Sequence, residues 1–260
     1  MARTLLPADL LLTDPPTDLP YADLALADLA LADFDLAVFD IAGTTVEEHN
    51  AVYVALEHAV RAAGATPSPV DMQRWMGADK TEAITALLST AGLAWPAPEV
   101  VAAVYLDFRH RLAQAYQAVP PTPLPGVQQA LASLRAAGLK VALTTGFSRE
   151  VTDALLASLG WTDGVVDAVV CAEEVGAGRP APYMIFRAMQ LTGVHDVRRV
   201  LVAGDTTLDL QAGRNAGAGA VLGVLTGAMD AELLGQGPLT HLLASVADLP
   251  ALLLGQQAQV

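Results

Sequence analysis

FDLAVFDIAGTT, Phe34 to Thr45, decides the fold. Its first seven residues, Phe34–Asp40, form an apolar run ending on a carboxylate, which suits a parallel strand buried on both faces. Small and hydroxylated residues follow. Among them Gly43 lets the backbone approach a ligand closely and adopt an unusual φ.

Working outward, two more strand-like runs end in the same manner. KVALTT (Lys140–Thr145) runs into Gly146, and RVLVAGD (Arg199–Asp205) runs into TTLD, which ends at Asp209. Between and after them the pattern predicts helices at Val127–Ala137, Arg149–Leu159, Pro182–Thr192 and Leu208–Ala216. It also predicts strands at Ala168–Ala172 and, closing the run, Ala220–Thr226. Strands alternating with helices through short loops specify an α/β fold with a doubly wound parallel sheet.

The stretch from about Val46 to Val119 reads differently. Tyr53, Leu56, Val60 and Ala63 share one helical face, as do Val101, Val104, Tyr105 and Phe108, and no strand-like alternation appears. The proline-rich PPTPLPGV (Pro120–Val127) is a hinge back to the first domain. The expected organisation is an α/β core of residues 34–47 and 121–260, with a helical cap, residues 48–120, inserted after the first strand. Residues 1–33 read as an extension, a tail or short mobile helix, because Pro15, Pro16 and Pro20 break helices and the acidic ADLAL repeats bury little.

Composition narrows the function classes. Net charge is −14 with 14 basic residues and no basic cluster, which argues against nucleic acid as partner. No apolar run reaches the roughly 18 residues of a membrane span, and the start of the chain is a poor signal peptide. One cysteine, Cys171, fits a reducing cytoplasm. A homodimer is left open. Lys80 and Lys140 are the only lysines in a chain that otherwise uses Arg.

Ligands of such sheets bind beyond the carboxyl ends of the strands, so Asp40, Thr145 and Asp205 are expected to converge at one edge. Two carboxylates from separate strands suit a hard cation such as Mg2+. Each residue alone has a plainer reading, since a strand-end Asp commonly caps the next helix.

DIAGTT (Asp40–Thr45), TTG (Thr144–Gly146), GRPAP (Gly178–Pro182) and GDTTLD (Gly204–Asp209) occur in the order found in haloacid dehalogenase hydrolases, and the chain resembles that superfamily from about Phe34 to Leu253. The resemblance implies that Asp40 is a nucleophile attacking phosphorus, and that Asp40, Ala42, Asp205 and Asp209 form the magnesium site, Asp209 through a bound water. It implies that Thr145, Gly146 and Arg179 hold the phosphoryl oxygens, and that Gly43 and Thr44 also meet the substrate. Phosphoryl transfer is largely positioning and charge neutralisation, which such a set supplies.

Ala42 departs from the superfamily's phosphatases, which carry a second Asp there as general acid. Its loss should cost about 10²–10⁴ against a substrate expelling an alkoxide. One family resolves the conflict: DxAGTT, Arg179 before the proline, and WMGADK (Trp75–Lys80) resemble phosphonatases. In that family the cap lysine forms a Schiff base with the substrate aldehyde, so that carbon leaves as an enamine and no alkoxide is expelled. The resemblance assigns this role to Lys80, with Met76 and Gly77 facing the substrate.

The plainer reading of Lys80 is a solvated lysine opening a cap helix. At a pKa near 10.4 only about one part in 2,500 is neutral at pH 7, so a catalytic amine needs desolvation or a neighbouring cation. Asp79 pushes the other way unless it points outward. Three further positions depart from phosphonatases: Ala83 replaces a His, Phe147 a Tyr and Asn50 a Cys. The imine-forming step then lacks the family's usual proton shuttle unless Glu82 or His49 substitutes, and the substrate is expected to be a 2-oxoalkylphosphonate differing in detail from phosphonoacetaldehyde. The alternatives are a phosphomonoesterase acting on phosphoglycolate or a sugar phosphate, in which Lys80 only binds the anion, and an idle binding module. Trp75 suits either the cap's substrate face or its core, and Cys171 reads as a buried small hydrophobe.

Overall fold

The first strand, β1 (Leu36–Asp40), is fully buried and lies centrally in a six-stranded, wholly parallel sheet. This computed structural model describes residues 29–90 and 96–255. Its other sheet strands are β4 (Lys140–Thr145), β5 (Ala168–Cys171), β6 (Val200–Gly204), β7 (Ala220–Val224) and β8 (His241–Leu243), in the order β5-β4-β1-β6-β7-β8. β4 and β6 flank β1, with Asp40 opposite Thr144 and Phe39 opposite Ala203. The ends of these three strands are therefore neighbours, which places Asp40, Thr145 and Asp205 at one edge.

Side chains of β1 alternate between two cores, as strand geometry requires. Ala37 and Phe39 join the larger cluster, while Leu36 and Val38 pack with Met184, Ile185 and Ala212. The latter group comes from α7 (Tyr183–Thr192) and α8 (Thr207–Ala216). α5 (Val127–Ala136) and α6 (Arg149–Ser158) contribute Leu131, Leu134 and Leu155 to the larger cluster. Helices on both faces of a parallel sheet give the doubly wound α/β architecture expected from the sequence.

Among the described residues four helices lie between β1 and α5: α1 (Ala51–Ala62), α2 (Pro69–Arg74), α3 (Lys80–Ser89) and α4 (Pro98–Ala118). Here the structure corrects the helical reading that began at Val46. Val46–Glu47 is a strand, β2, paired antiparallel with β3 (Thr122–Pro123) inside the expected hinge. Two residues are too few to show alternation, yet this pairing ties together both ends of the helical insert. The expected closing strand, Ala220–Thr226, is not the last either: α9 (Ala231–Gly235), β8 and α10 (Leu249–Leu254) follow it. Of the expected extension, residues 1–28 lie outside the described residues, while Leu29 and Leu31 pack against the larger core. Among the described residues no helix is long and apolar enough to cross a membrane.

Candidate active site at the strand ends

Asp40, Asp205 and Asp209 are buried at the strand ends around one guanidinium, that of Arg179. Arg179 Nη1 lies 2.7 Å from Asp40 Oδ1, and its Nε lies 2.8 Å from Asp209 Oδ1. Nη1 also donates to the carbonyl of Gly77 at 3.2 Å, and Nη2 donates to Thr144 O at 3.0 Å and Thr144 Oγ1 at 2.7 Å. Each of the three guanidinium nitrogens thus lies against a protein oxygen. The expectation that Arg179 holds phosphoryl oxygens is refined accordingly: a phosphoryl group must displace one of these partners.

Asp205 is held on every side. Thr44 Oγ1 donates to its Oδ1 at 3.0 Å and the Ala228 amide to its Oδ2 at 2.8 Å. A Cβ on Gly43 would come within 2.6 Å of Oδ2, and one on Gly227 within 2.0 Å. Gly43 also sits at φ +82, in the left-handed region. Thr44, expected to meet substrate, is fully buried and instead orients Asp205. The loop after β7 completes this wall, Thr226 Oγ1 donating to the carbonyl of Gly43 at 2.7 Å. Nothing in its sequence distinguishes it from an ordinary connection.

Asp209, expected to hold a metal-bound water, has both carboxylate oxygens engaged by the protein. Its Oδ2 accepts from the Thr206 amide at 3.1 Å and hydroxyl at 2.6 Å, a capping box that starts α8. Its other oxygen takes the Arg179 ion pair. Among the described residues no three acidic, His or Cys side chains form a preformed cation cage.

Magnesium, however, prefers one or two carboxylates plus waters and phosphate oxygens. The charge balance suits it, since three buried carboxylates share one guanidinium. Burial, reinforced by the charge of Asp209, pushes Asp205 up to about 7. Burial likewise raises Asp40 well above the usual carboxylate range, against the pull of Arg179. Asp40 and Asp205 fit a divalent cation, and Ala42 has only its main-chain carbonyl to offer.

The remaining expected residues come from a loop of the helical insert that docks on the core. Met76 lines a cavity of about 590 Å³ together with Ala42, Gly43, Tyr53 and Asp205. Gly77 sits at φ +81, and a Cβ there would lie 2.5 Å from Thr206 Oγ1. A Cβ on Gly146 would come within 2.4 Å of the Ala78 carbonyl. Glycine on both sides is what allows this approach. Thr145 is buried, its hydroxyl accepting the Phe147 amide at 3.2 Å, while Thr144, passed over in the sequence, holds Arg179.

Lys80 is only 4% exposed, which excludes the solvated reading. As the first residue of α3 it turns its amine back to donate to the carbonyl of Ala78 at 2.8 Å. Asp79 caps α3, accepting from the amides of Thr81 and Glu82, so its carboxylate is directed to the helix start. Burial lowers the Lys80 pKa from 10.5 to about 8, opposed by the charges of Asp79 and Asp40 and assisted by Arg179. The rings of Phe147 and Tyr53 lie over Nζ, with centroids at 5.5 and 5.9 Å.

The Lys80 amine is hydrogen-bonded to the Ala78 carbonyl and not to Glu82 or His49. Glu82 lies two residues on, on another helix face. The His49 side chain is about half exposed, its Nδ1 3.7 Å from Glu47. Trp75 packs against the larger core, and Cys171 is fully buried with its thiol on Thr152.

Comparison with known proteins agrees with this geometry. The model of the haloacid dehalogenase-like hydrolases matches residues 34–217. The chain belongs to that family. It is a hydrolase, and its sequence is similar to that of phosphonoacetaldehyde hydrolase from Bacillus cereus strain AH187, with 38% identity over 112 residues, covering 43% of this chain. The match spans 42% of that relative's length. Among solved structures, a phosphonoacetaldehyde hydrolase-like protein from Oleispira antarctica superposes with a TM-score of 0.70 at 20% identity, over 88% of this chain and 97% of that one. A β-phosphoglucomutase from Clostridium difficile gives 0.71 at 16% identity, over 83% and 93%. Such low identities establish the shared fold alone.

Proposed function

We propose that this haloacid dehalogenase-like hydrolase cleaves the carbon–phosphorus bond of a 2-oxoalkylphosphonate, with magnesium, through an aspartyl-phosphate at Asp40 and an imine at Lys80. One observation carries the reading. The Lys80 amine is buried in the loop docked over the Asp40 strand end, with its pKa lowered to about 8. About a tenth of such an amine is neutral at pH 7, several hundred-fold more than for an exposed lysine.

The neutral amine adds to the substrate carbonyl to give a neutral carbinolamine, which takes a proton from solvent and loses water to leave a protonated imine. An Asp40 oxygen then bonds to phosphorus as the C–P bond breaks, and the bond's electron pair passes into the iminium to leave an enamine. Water hydrolyses the aspartyl-phosphate to free phosphate. Protonation of the enamine and hydrolysis of the imine release the carbonyl product and restore Lys80. Magnesium, held by Asp40 and Asp205 with the Ala42 carbonyl, would neutralise phosphoryl oxygen charge. Arg179 positions Asp40. Because carbon departs as an enamine, Ala42 has no leaving alkoxide to protonate.

The test is phosphate release from paired 2-oxoalkylphosphonates and phosphate esters by wild type and Lys80→Arg. The variant keeps a charge but cannot form an imine. The account expects turnover of the oxophosphonate only and an inactive variant. A Lys80→Arg enzyme that hydrolyses phosphate esters at near wild-type rate would establish the phosphomonoesterase instead.

A further inference from the structure

Imine formation needs a proton carrier beside the amine, and the hydrogen bond of the Lys80 amine goes to the Ala78 carbonyl rather than to Glu82 or His49. Of the two rings over Nζ, only that of Tyr53 also borders the cavity shared by Ala42, Met76 and Asp205. Its hydroxyl oxygen accepts the Gly77 amide at 3.2 Å, which fixes it under the docked loop and leaves its proton to be donated. The approach to α1 is built to place it there. His49 and Asn50 both take positive φ, 55° and 59°, between β2 and the helix. Two successive side-chain-bearing residues in the left-handed region are strained, and such strain gathers where a side chain must be aimed. Glu48 is committed to this turn, its carboxylate accepting the Val52 amide at 2.8 Å.

We propose that Tyr53 is the proton relay of carbinolamine formation, its hydroxyl hydrogen-bonded to the carbonyl oxygen of the substrate. As the Lys80 nitrogen pair bonds to the carbonyl carbon, the C=O π pair moves to oxygen. Tyr53 gives its proton to that oxygen while taking one from the nitrogen, so the phenol ends neutral and no proton is gained or lost overall. A neutral relay also suits the setting, since burial and the charges of Asp205 and Asp40 oppose a phenolate. Loss of water then gives the imine.

This rests on the imine reading, and the experiment separates the two. Wild type and Tyr53→Phe, which keeps the ring over Lys80, are incubated with a 2-oxoalkylphosphonate and cyanoborohydride. The rate of reduced adduct at Lys80 is followed by mass, beside the inhibition constant of ethylphosphonate, which lacks the carbonyl. The relay predicts an adduct rate lowered roughly 10²-fold, with ethylphosphonate inhibition and melting temperature unchanged. An adduct rate within about threefold of wild type would overturn the relay alone. No adduct in wild type would overturn both the imine and the relay. Weakened ethylphosphonate binding in step with the lost rate would reduce Tyr53 to a packing residue.

Discussion

The Arg179 guanidinium donates to the carbonyl of Gly77, 102 residues away in sequence, at 3.2 Å. The same group pairs with Asp40 and Asp209, so one side chain joins the strand-end carboxylates to the loop that carries Lys80. The Asp40 strand end and the Lys80 segment thus meet through this one guanidinium.

Gly77→Ala tests the docking. The new methyl would press on Thr206 Oγ1 at 2.5 Å, and alanine disfavours φ +81. We expect kcat/KM to fall at least tenfold, with faster hydrogen exchange in residues 76–80 and a melting temperature within a few degrees of wild type. Unchanged exchange and activity would show that close approach is dispensable.

Asp40→Asn and Asp205→Asn are each expected to abolish phosphate release. Chelation should do the same, and added magnesium should restore activity. Appreciable turnover by Asp40→Asn would rule out the aspartyl-phosphate.

Ala42→Asp places a carboxylate where phosphatases of the superfamily carry their acid. For an oxoalkylphosphonate no gain is expected, and added negative charge near an anionic substrate should slow the enzyme. A rise of about 10²-fold on phosphate esters would instead mark an enzyme that lacks only that acid.

Lys80 ties activity to pH and to stability. Asp79, Asp40 and Glu48 raise its pKa and Arg179 lowers it, but burial dominates and leaves it at about 8. The rate of imine formation should therefore climb nearly tenfold per pH unit below 8 and level off above it. Stability follows the depressed pKa. Below 8 the folded state carries a buried charge; between 8 and 10.5 the unfolded chain binds the proton that the folded one lacks, so stability rises with pH. Lys80→Met should then be inactive yet more stable at pH 7, on the order of 2 kcal/mol, with the difference shrinking toward pH 10.5. Urea denaturation at both pH values checks this.

Much of this was legible because parallel strands declare themselves. The apolar run before Asp40 and the repeats after Val127 gave the sheet, three strand ends pointed to Asp40, Thr145 and Asp205, and the resemblance of GRPAP pointed to Arg179. Less legible were features that depend on three-dimensional approach. Thr44 reads as a ligand contact in sequence, but its hydroxyl orients Asp205. Tyr53 reads as one apolar position on a helical face, and its ring comes over the Lys80 amine only through the packing of two separate helices. β2 and β3 escape because each is two residues long and their pairing spans the whole insert.

The central claim is the imine, and mass spectrometry of the Lys80 peptide tests it most directly. The enzyme is treated with borohydride during turnover of a 2-oxoalkylphosphonate and then digested. With Lys80 and Lys140 the only lysines, a modified peptide is assigned without ambiguity. The account predicts inactivation together with the mass of the reduced adduct on the Lys80 peptide and none on the Lys140 peptide. An unmodified Lys80 peptide from enzyme that was turning over that substrate would contradict it.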